Sequence, residues 1–175
     1  MKKVYLSHME SPIGELIISS SKEGLCGIWI EEDSNMRIWL NKYFDIVEEC
    51  SEYNINIINQ LQNYFKGELK RFKVPFHLLG TEFQKLIWKE FLQIPYGSTA
   101  SYKDIAVRIG KPAGSRSVGS AAGANRIPVV IPCHRIIGSN GSLTGFTGGI
   151  QKKVKLLELE GHTVKDGKIR AKGRD

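Results

Sequence analysis

The sequence predicts two domains: an α/β domain with a small, mostly antiparallel sheet over residues 1–75, and a mainly helical domain over residues 76–175. Three observations predict this division. Short β-prone runs separated by turn residues fill the first third of the chain, helices with explicit start signals follow Gly80, and the charge differs between the two halves. Residues 71–80 contain Pro75 and show no helical period, so they form the predicted linker.

The N-terminal domain is expected to begin with strands. Three β-prone runs are separated by turn residues at 11–14 and 22–24; the runs are Val4–Leu6, Glu15–Ile18 and Leu25–Ile30. Two amphipathic helices should follow, because apolar residues then recur at helical spacing. The residues expected on the two buried faces are Met36, Trp39, Leu40 and Tyr43, and then Ile58, Leu61 and Phe65.

Two capping boxes mark helix starts in the C-terminal domain, one at Thr81–Gln84 and one at Ser101–Asp104. The second opens a short helix with Gly110 in the position that follows a helix end. A third helix is expected over Ser115–Ala124, so the second and third helices predict a helix-turn-helix. Apart from Arg116 and Val118, this third helix consists of Gly, Ala and Ser. Such a helix suits either close approach to a partner or tight packing on another helix, and spacing leaves both readings open.

The net positive charge of the chain comes entirely from its second half. Residues 1–79 hold 9 Lys and Arg against 11 Asp and Glu, whereas residues 80–175 hold 16 against 7. This asymmetry favours a polyanionic partner, usually nucleic acid. A charge that serves solubility stays open, because five of the sixteen basic residues lie in a basic tail between positions 165 and 174.

The three cysteines, Cys26, Cys50 and Cys133, are widely spaced and include no C-x-x-C pair, so they predict neither a disulfide framework nor a zinc site. Cys26 and Cys50 fit small core residues, although a bond or a shared metal between them stays open. No apolar run approaches the roughly 18–20 residues of a membrane helix, and the N-terminus lacks the apolar core of a signal peptide. We therefore expect a cytoplasmic protein without a metal or cofactor.

Cys133 lies near the end of an apolar segment, Ile127–Ile137, that contains two prolines. The segment is predicted to be rigid, extended and largely buried. Adjacent residues on an extended backbone point to opposite faces, so a direct hydrogen bond between Cys133 and His134 is not expected. Activation through a water molecule or at a backbone turn stays open, and so does a purely structural cysteine.

A glycine-rich loop, Gly138–Gly149, follows without the pattern of a phosphate-binding loop. A helix over Ile150–Glu160 is expected to end at Gly161. Glu160 lies in its last turn, where the helix dipole disfavours a negative charge by up to about 1 kcal/mol. Either a nearby positive partner, such as a histidine, or full exposure to solvent would account for an acid in this position.

Four blocks stand out in the C-terminal half: Phe83–Gly97, Ser101–Ala106, Arg116–Asn125, and Ile131–Arg135 with Gly148-Gly149 and Glu160-Gly161. In order and spacing they resemble the methylated-DNA–protein-cysteine methyltransferases, which are O6-alkylguanine-DNA alkyltransferases. The last block is the family signature. The N-terminal portion agrees with the family in length and in its pattern of strands and helices, but it contains no signature motif. The resemblance implies a ribonuclease H-like N-terminal domain and a winged-helix-like C-terminal domain that contains the helix-turn-helix.

The resemblance also implies a reaction. Cys133 would accept an alkyl group from O6-alkylguanine in duplex DNA, once per molecule, after the base has flipped out. O4-alkylthymine stays open as a second substrate. His134, through a water, and Glu160 would make Cys133 a thiolate; Asn125 would brace the turn before it, and Tyr102 would hydrogen-bond the flipped guanine.

The remaining implied roles concern DNA and the alkyl group. Arg116 would enter the duplex in place of the base, and we expect a monomer on double-stranded DNA. The further DNA contacts would be Tyr102, Lys103, Lys111, Ser139 and Arg135. The alkyl pocket would be lined by Pro128, Phe146, Thr147 and Gly148. Three positions depart from the usual family pattern: Arg126 replaces a proline, and Phe146 and Thr147 replace a tyrosine and a serine.

Two other functions compete with this reading. A helix-turn-helix regulator or an alkyltransferase-like lesion binder would bind DNA without accepting an alkyl group, but such lesion binders lack the acceptor cysteine that is present here. A cysteine hydrolase would use Cys133 with a histidine base, and would release more than one product per molecule.

Overall fold

The computed structural model describes residues 1–47 and 52–170, so Cys50 and the pairing considered for it lie outside the described residues. The chain divides into two compact units, Met1–Leu79 and Gly80–Asp175. The first is an α/β unit and the second is mainly helical, as predicted. Within the described ranges, no helix is both long and apolar enough to cross a membrane.

A four-stranded mixed sheet forms the centre of the first unit. Its strands are β1 (Lys2–Met9), β2 (Leu16–Ser21), β3 (Gly24–Ile30) and β4 (Phe44–Val47), in the order β3-β2-β1-β4. The first three strands are antiparallel, as predicted, and β4 runs parallel to β1. Strand β4 was not predicted because it has only four residues and joins β1 without a hairpin turn.

Two helices pack on this sheet: α1 (Ser34–Asn41) and α2 (Glu52–Phe65). In α1, the predicted residues Met36 and Leu40 are buried, while Tyr43 lies beyond the helix end and is exposed. In α2 the buried face is shifted from the predicted one, and consists of Asn54, Ile57, Leu61 and Tyr64. The prediction placed only apolar residues on the buried face and therefore missed Asn54. This polar residue is buried because it donates hydrogen bonds to the Tyr5 carbonyl and the Ser7 hydroxyl.

The segment predicted as a linker is partly attached to the sheet of the first unit. The Leu25 N–H donates to the Pro75 carbonyl and the His77 N–H donates to the Leu25 carbonyl, both at 2.9 Å. The ring of His77 also lies 2.7 Å from the Ser21 hydroxyl. Residues 75–77 therefore pair with β3 by backbone hydrogen bonds.

Among residues 80–170, the second unit is built from four α-helices: α3 (Glu82–Leu92), α4 (Tyr102–Arg108), α5 (Ser115–Gly123) and α6 (Ile150–Leu159). Both predicted capping boxes are present, at the starts of α3 and α4. Gly110 has φ 73°, which confirms the predicted left-handed residue after α4. The indole N–H of Trp88 on α3 donates to the Ala121 carbonyl on α5 at 2.8 Å, so α5 packs closely on α3.

Short strands complete the second unit. Strands β5 (Ala100–Ser101) and β6 (Ile136–Ile137) pair in parallel, and β7 (Thr163–Lys165) and β8 (Lys168–Arg170) form a hairpin. Part of the predicted basic tail is therefore ordered as this hairpin. The signal was present in the sequence, since Asp166-Gly167 is a favoured two-residue hairpin turn and both residues have positive φ.

Candidate active site and DNA interface

Cys133 begins a short 3-10 helix, Cys133–Arg135, and is only 7% exposed. The predicted burial of the segment before it is confirmed, but the predicted extended conformation is wrong. The Ile131 N–H donates to the Ile127 carbonyl at 2.9 Å, and the Cys133 N–H donates to the Ile131 carbonyl at 2.8 Å. These bonds bend the chain, so Cys133 and His134 are not held on opposite faces as adjacent residues of a strand would be.

Asn125 closes this bend from the inside. Its amide nitrogen donates to the Ile131 carbonyl at 3.0 Å, and its amide oxygen accepts the Ile127 N–H at 2.9 Å. Val129, within the bend, has φ 73°, a left-handed conformation that is unfavourable for a β-branched residue. The two bonds of Asn125 hold this strained turn together and give the predicted brace a physical basis.

The fully buried ring of His134 points toward Glu160. Its Nε2 lies 2.8 Å from Oε1 of Glu160, and because a carboxylate only accepts hydrogen bonds, Nε2 carries the hydrogen. Burial lowers the pKa of His134, an effect that Glu160 partly offsets. In the neutral ring Nδ1 is the accepting nitrogen; it is buried, and it has no hydrogen-bond partner among the described residues.

Arg135 holds the same carboxylate from the other side. Its Nε and Nη2 lie 2.9 Å and 2.8 Å from the two oxygens of Glu160, and its Nη1 donates to the Ile94 carbonyl at 2.7 Å. The guanidinium group also lies 5.9 Å from the centre of the Tyr96 ring. Arg135 is 6% exposed, so it faces the interior and not the DNA contact predicted for it.

Glu160 caps the C-terminal end of α6 and is 5% exposed, which decides between the two readings left open by the sequence. Burial by itself would raise the pKa of Glu160. The hydrogen bonds from His134 and Arg135 and the positive charge of Arg135 outweigh burial, however, and hold the pKa well below its usual value. Glu160 is therefore a carboxylate at neutral pH, with a positive partner as one reading proposed.

Burial raises the pKa of the Cys133 thiol. Asn125 and the ammonium group of Lys153 act in the opposite direction without reversing this effect. The thiol is therefore harder to ionise than an ordinary cysteine, and the thiolate implied by the resemblance requires a base that takes its proton. The physical reason is that a sulfur anion in a nonpolar interior loses most of its solvation.

Lys153 on α6 was not identified from the sequence. Its side chain is fully buried, and its ammonium group donates to the Ile136 carbonyl at 2.6 Å and to the Thr144 carbonyl at 3.0 Å. Burial lowers the pKa of Lys153 to about 8. Helical spacing in the sequence could have predicted that Lys153 is buried, because it lies three, four and seven positions before Leu156, Leu157 and Glu160 on the buried face.

A cavity of about 410 Å³ opens beside Cys133. Its lining consists of Tyr102, Gly119, Ala122, Gly123, Cys133, Gly145, Phe146 and Thr147. Two of the four residues predicted for the alkyl pocket, Phe146 and Thr147, are part of this lining. Pro128 is buried in the bend before Cys133 and Gly148 is exposed; neither is among the lining residues.

The predicted DNA-binding residues other than Arg135 lie at or near the surface of the second unit. Arg116 is exposed in the first turn of α5, whose residues Val118 and Ala121 face inward. Thus α5 packs against α3 on one side and leaves a face of small residues open on the other. Exposed Lys103 and Ser139 both line a groove of about 790 Å³, and exposed Lys111 lies 4.9 Å from the centre of the Phe83 ring.

Comparison with known proteins identifies the family. The profile described as the ribonuclease-like domain of 6-O-methylguanine DNA methyltransferase matches residues 4–78, and the profile of the DNA-binding domain matches residues 82–162. The chain belongs to the 6-O-methylguanine DNA methyltransferase family. The fold is therefore that family's arrangement of a ribonuclease-like domain followed by a DNA-binding domain.

Relatives cover nearly the whole chain. A methylated-DNA–protein-cysteine methyltransferase of Mycobacterium leprae is 40% identical over 92% of this chain and 94% of its own length. A crystal structure of Mycobacterium tuberculosis O6-methylguanine methyltransferase matches with a TM-score of 0.78 and 40% identity, over 90% of this chain and 92% of that chain. A structure of Mycobacterium tuberculosis OGT in complex with DNA matches with a TM-score of 0.78 and 39% identity, over 89% and 92%.

Replacing Glu160 by Gln should destabilise this methyltransferase-family fold by about 3 kcal/mol or more, because it leaves the Arg135 guanidinium buried without a counter-charge. The control is Glu158→Gln, which removes an exposed carboxylate from the same helix. Urea unfolding of the three proteins at pH 7 measures the difference. Equal stability of the two variants would contradict the buried ion network.

The same comparison has a defined pH dependence. The pKa of Glu160 is lower in the folded protein than its ordinary value of 4.5, so its contribution is complete above that value and is lost as pH falls through the folded pKa. The stability difference between wild type and Glu160→Gln should therefore stay constant from pH 7 down to about pH 5, and should shrink below it.

Proposed function

We propose that this protein repairs DNA by transferring an alkyl group from O6 of guanine to the sulfur of Cys133, once per molecule. The observation that carries the proposal is the position of Cys133: it lies in the wall of a cavity and next in sequence to a histidine fixed by Glu160. The family relation supports this assignment, since relatives over most of the chain are named methylated-DNA–protein-cysteine methyltransferases.

The first chemical requirement is removal of the thiol proton. His134 suits this task because Glu160 fixes hydrogen on Nε2 and leaves Nδ1 as a buried acceptor. We propose that one water relays the proton from Cys133 to Nδ1, and that Glu160 stabilises the resulting imidazolium. Because burial raises the pKa of the thiol, the proton leaves as the substrate reacts and not in advance.

The transfer is an in-line displacement at carbon. The sulfur of Cys133 forms a bond to the alkyl carbon as the bond from that carbon to guanine O6 breaks. The guanine leaves with a negative charge on its ring, and Tyr102 neutralises this charge by donating its hydroxyl hydrogen. This leaves Tyr102 as a tyrosinate and His134 as an imidazolium. Transfer of the histidine proton to the tyrosinate through water restores both groups, so the products are neutral guanine and a thioether.

The reacting atom lies inside the DNA stack, so the nucleotide must be turned out of the duplex at a cost of a few kcal/mol. We propose that α4 and α5 act as a helix-turn-helix whose open face of small residues approaches the DNA backbone closely in the minor groove. Arg116 extends from that face and would fill the space that the base leaves. Its insertion offsets part of the extrusion cost.

Affinity for DNA would come mainly from phosphate contacts. Lys103 and Ser139 suit this role because they share the groove of about 790 Å³, and Lys111 is exposed ahead of α5. Phosphate contacts depend little on the base sequence, which suits a repair protein that must bind DNA of any sequence. All of these residues, and those of the reaction, belong to the unit Gly80–Asp175, so a single chain acting as a monomer supplies the complete site.

The cavity sets the substrate class. At about 410 Å³ it has room for a purine carrying an alkyl group, with Phe146 and Thr147 in its wall. O4-alkylthymine presents the same kind of carbon–oxygen bond on a smaller base, and is proposed as a second substrate. The product thioether has no nearby thiol in the sequence to regenerate it, which accounts for a single turnover.

The proposed transfer predicts a stoichiometry. Incubation with duplex DNA containing O6-methylguanine should add one methyl group per protein molecule, located on the peptide that contains Cys133. Intact mass and peptide mass spectrometry measure the increment and its position. Cys133→Ala should bind the same duplex without gaining mass, and methylation of that variant would reassign the acceptor. Release of product beyond one equivalent would support a hydrolase instead.

The proposed role of Arg116 predicts a difference between substrates. Arg116→Ala should slow transfer from duplex DNA by at least tenfold, yet leave transfer from free O6-benzylguanine nearly unchanged, because only the duplex requires extrusion. Single-turnover rates with both substrates test this, with Arg170→Ala as a variant that removes the same charge from the C-terminal hairpin. Equal slowing with both substrates would show that Arg116 is not the wedge.

A further inference from the structure

The hydroxyl of Tyr102 has a defined partner. It lies 2.6 Å from the hydroxyl oxygen of Thr144, a short hydrogen bond in which either oxygen can donate. Thr144 lies in the glycine-rich loop, is exposed, and was not predicted as a functional residue. It directly precedes Gly145, which together with Tyr102 lines the cavity beside Cys133.

Three contacts fix the position of Tyr102. The Ser101–Asp104 capping box sets its backbone at the start of α4, where the Ser101 hydroxyl accepts the Asp104 N–H at 3.0 Å. Its ring lies against Gly119 of α5, close enough that a methyl group there would touch the ring edge at 3.6 Å. Thr144 then fixes the hydroxyl end. The only polar atom of the ring is therefore oriented by Thr144.

Thr144 is itself held firmly despite its exposure. Its carbonyl accepts a hydrogen bond at 3.0 Å from the buried ammonium group of Lys153. The residue before it, Leu143, donates its N–H to the Gly167 carbonyl at 2.8 Å, in the turn of the β7–β8 hairpin. The hairpin and the buried lysine thus place the Thr144 hydroxyl at a fixed point beside Tyr102.

We propose that Thr144 is a positioning residue for the transfer reaction, acting through the hydroxyl of Tyr102. This rests on the proposed function, in which Tyr102 donates its hydrogen to the departing guanine. When guanine occupies the cavity, the tyrosine hydroxyl donates to the base, so Thr144 becomes the donor to the tyrosine oxygen. As the carbon–O6 bond breaks and the tyrosine hydrogen moves to guanine, the Thr144 hydroxyl stabilises the negative charge that develops on the tyrosine oxygen.

The test compares Thr144→Val, which keeps the shape but removes the hydroxyl, with Thr144→Ser, which keeps the hydroxyl. The valine variant should slow single-turnover transfer from methylated duplex by about tenfold, as loss of one well-placed hydrogen bond does. Its affinity for the same duplex and its unfolding midpoint should stay unchanged. The serine variant should transfer at close to the wild-type rate. A rate for Thr144→Val equal to wild type, or an equal loss in Thr144→Ser, would overturn the proposal.

A double-mutant cycle separates this role from a structural one. In a Tyr102→Phe background the hydroxyl that Thr144 orients is gone, so Thr144→Val should cause no further slowing. If the two substitutions slow transfer independently, Thr144 does not act through Tyr102 and the proposal fails. The wild-type rate tests the proposed function separately. If the wild-type protein transfers no methyl group, the proposed function fails. If the wild-type protein transfers the group and Thr144→Val transfers it at the same rate, only the role of Thr144 is excluded.

Discussion

The ion network of Arg135, Glu160 and His134 is the interaction on which the rest of the site depends. All three side chains are buried, and the carboxylate between the two basic groups accepts hydrogen bonds from both. A buried carboxylate is stable only when its charge is matched and its oxygens are satisfied. Arg135 supplies the charge, and burial keeps His134 neutral. The network also connects three distant parts of the second unit, since Arg135 reaches the Ile94 carbonyl and Glu160 ends α6.

A neutral thiol beside a neutral histidine follows from this arrangement. Because burial raises the pKa of Cys133 and lowers that of His134, the protein without DNA keeps both groups uncharged. A buried thiol that keeps its proton is protected from oxidation and from unspecific alkylation. In the proposed mechanism, reactivity appears only when a substrate in the cavity allows the proton to move from sulfur to the histidine. Low reactivity of the thiol before the substrate binds is an advantage for a protein that can react only once per molecule.

The sequence predicts the elements that depend on local signals, and misses those that depend on distant partners. The capping boxes at Thr81 and Ser101 were identified because both partners of each box lie within four residues. The bend before Cys133 was missed because two bonds from Asn125 outweigh the extended preference of a segment containing two prolines. In the candidate site, the sequence and the resemblance selected Cys133, His134 and Glu160, and the structure brings the His134 and Glu160 side chains into contact. Arg135 was assigned to DNA because nothing in a linear sequence shows that its charge faces inward.

The pH dependence of transfer tests most directly whether the buried network makes a neutral thiol reactive. The measurement is the single-turnover rate with free O6-benzylguanine between about pH 6.5 and 7.5, a range that begins at the ordinary histidine pKa and ends below the pKa of about 8 of Lys153. A proton passed from a neutral thiol to a neutral His134 predicts a rate that stays nearly constant, because neither group titrates there in the folded protein. A rate that rises about tenfold per pH unit would show that the sulfur must ionise to solvent first, and would contradict the role assigned to His134 and Glu160.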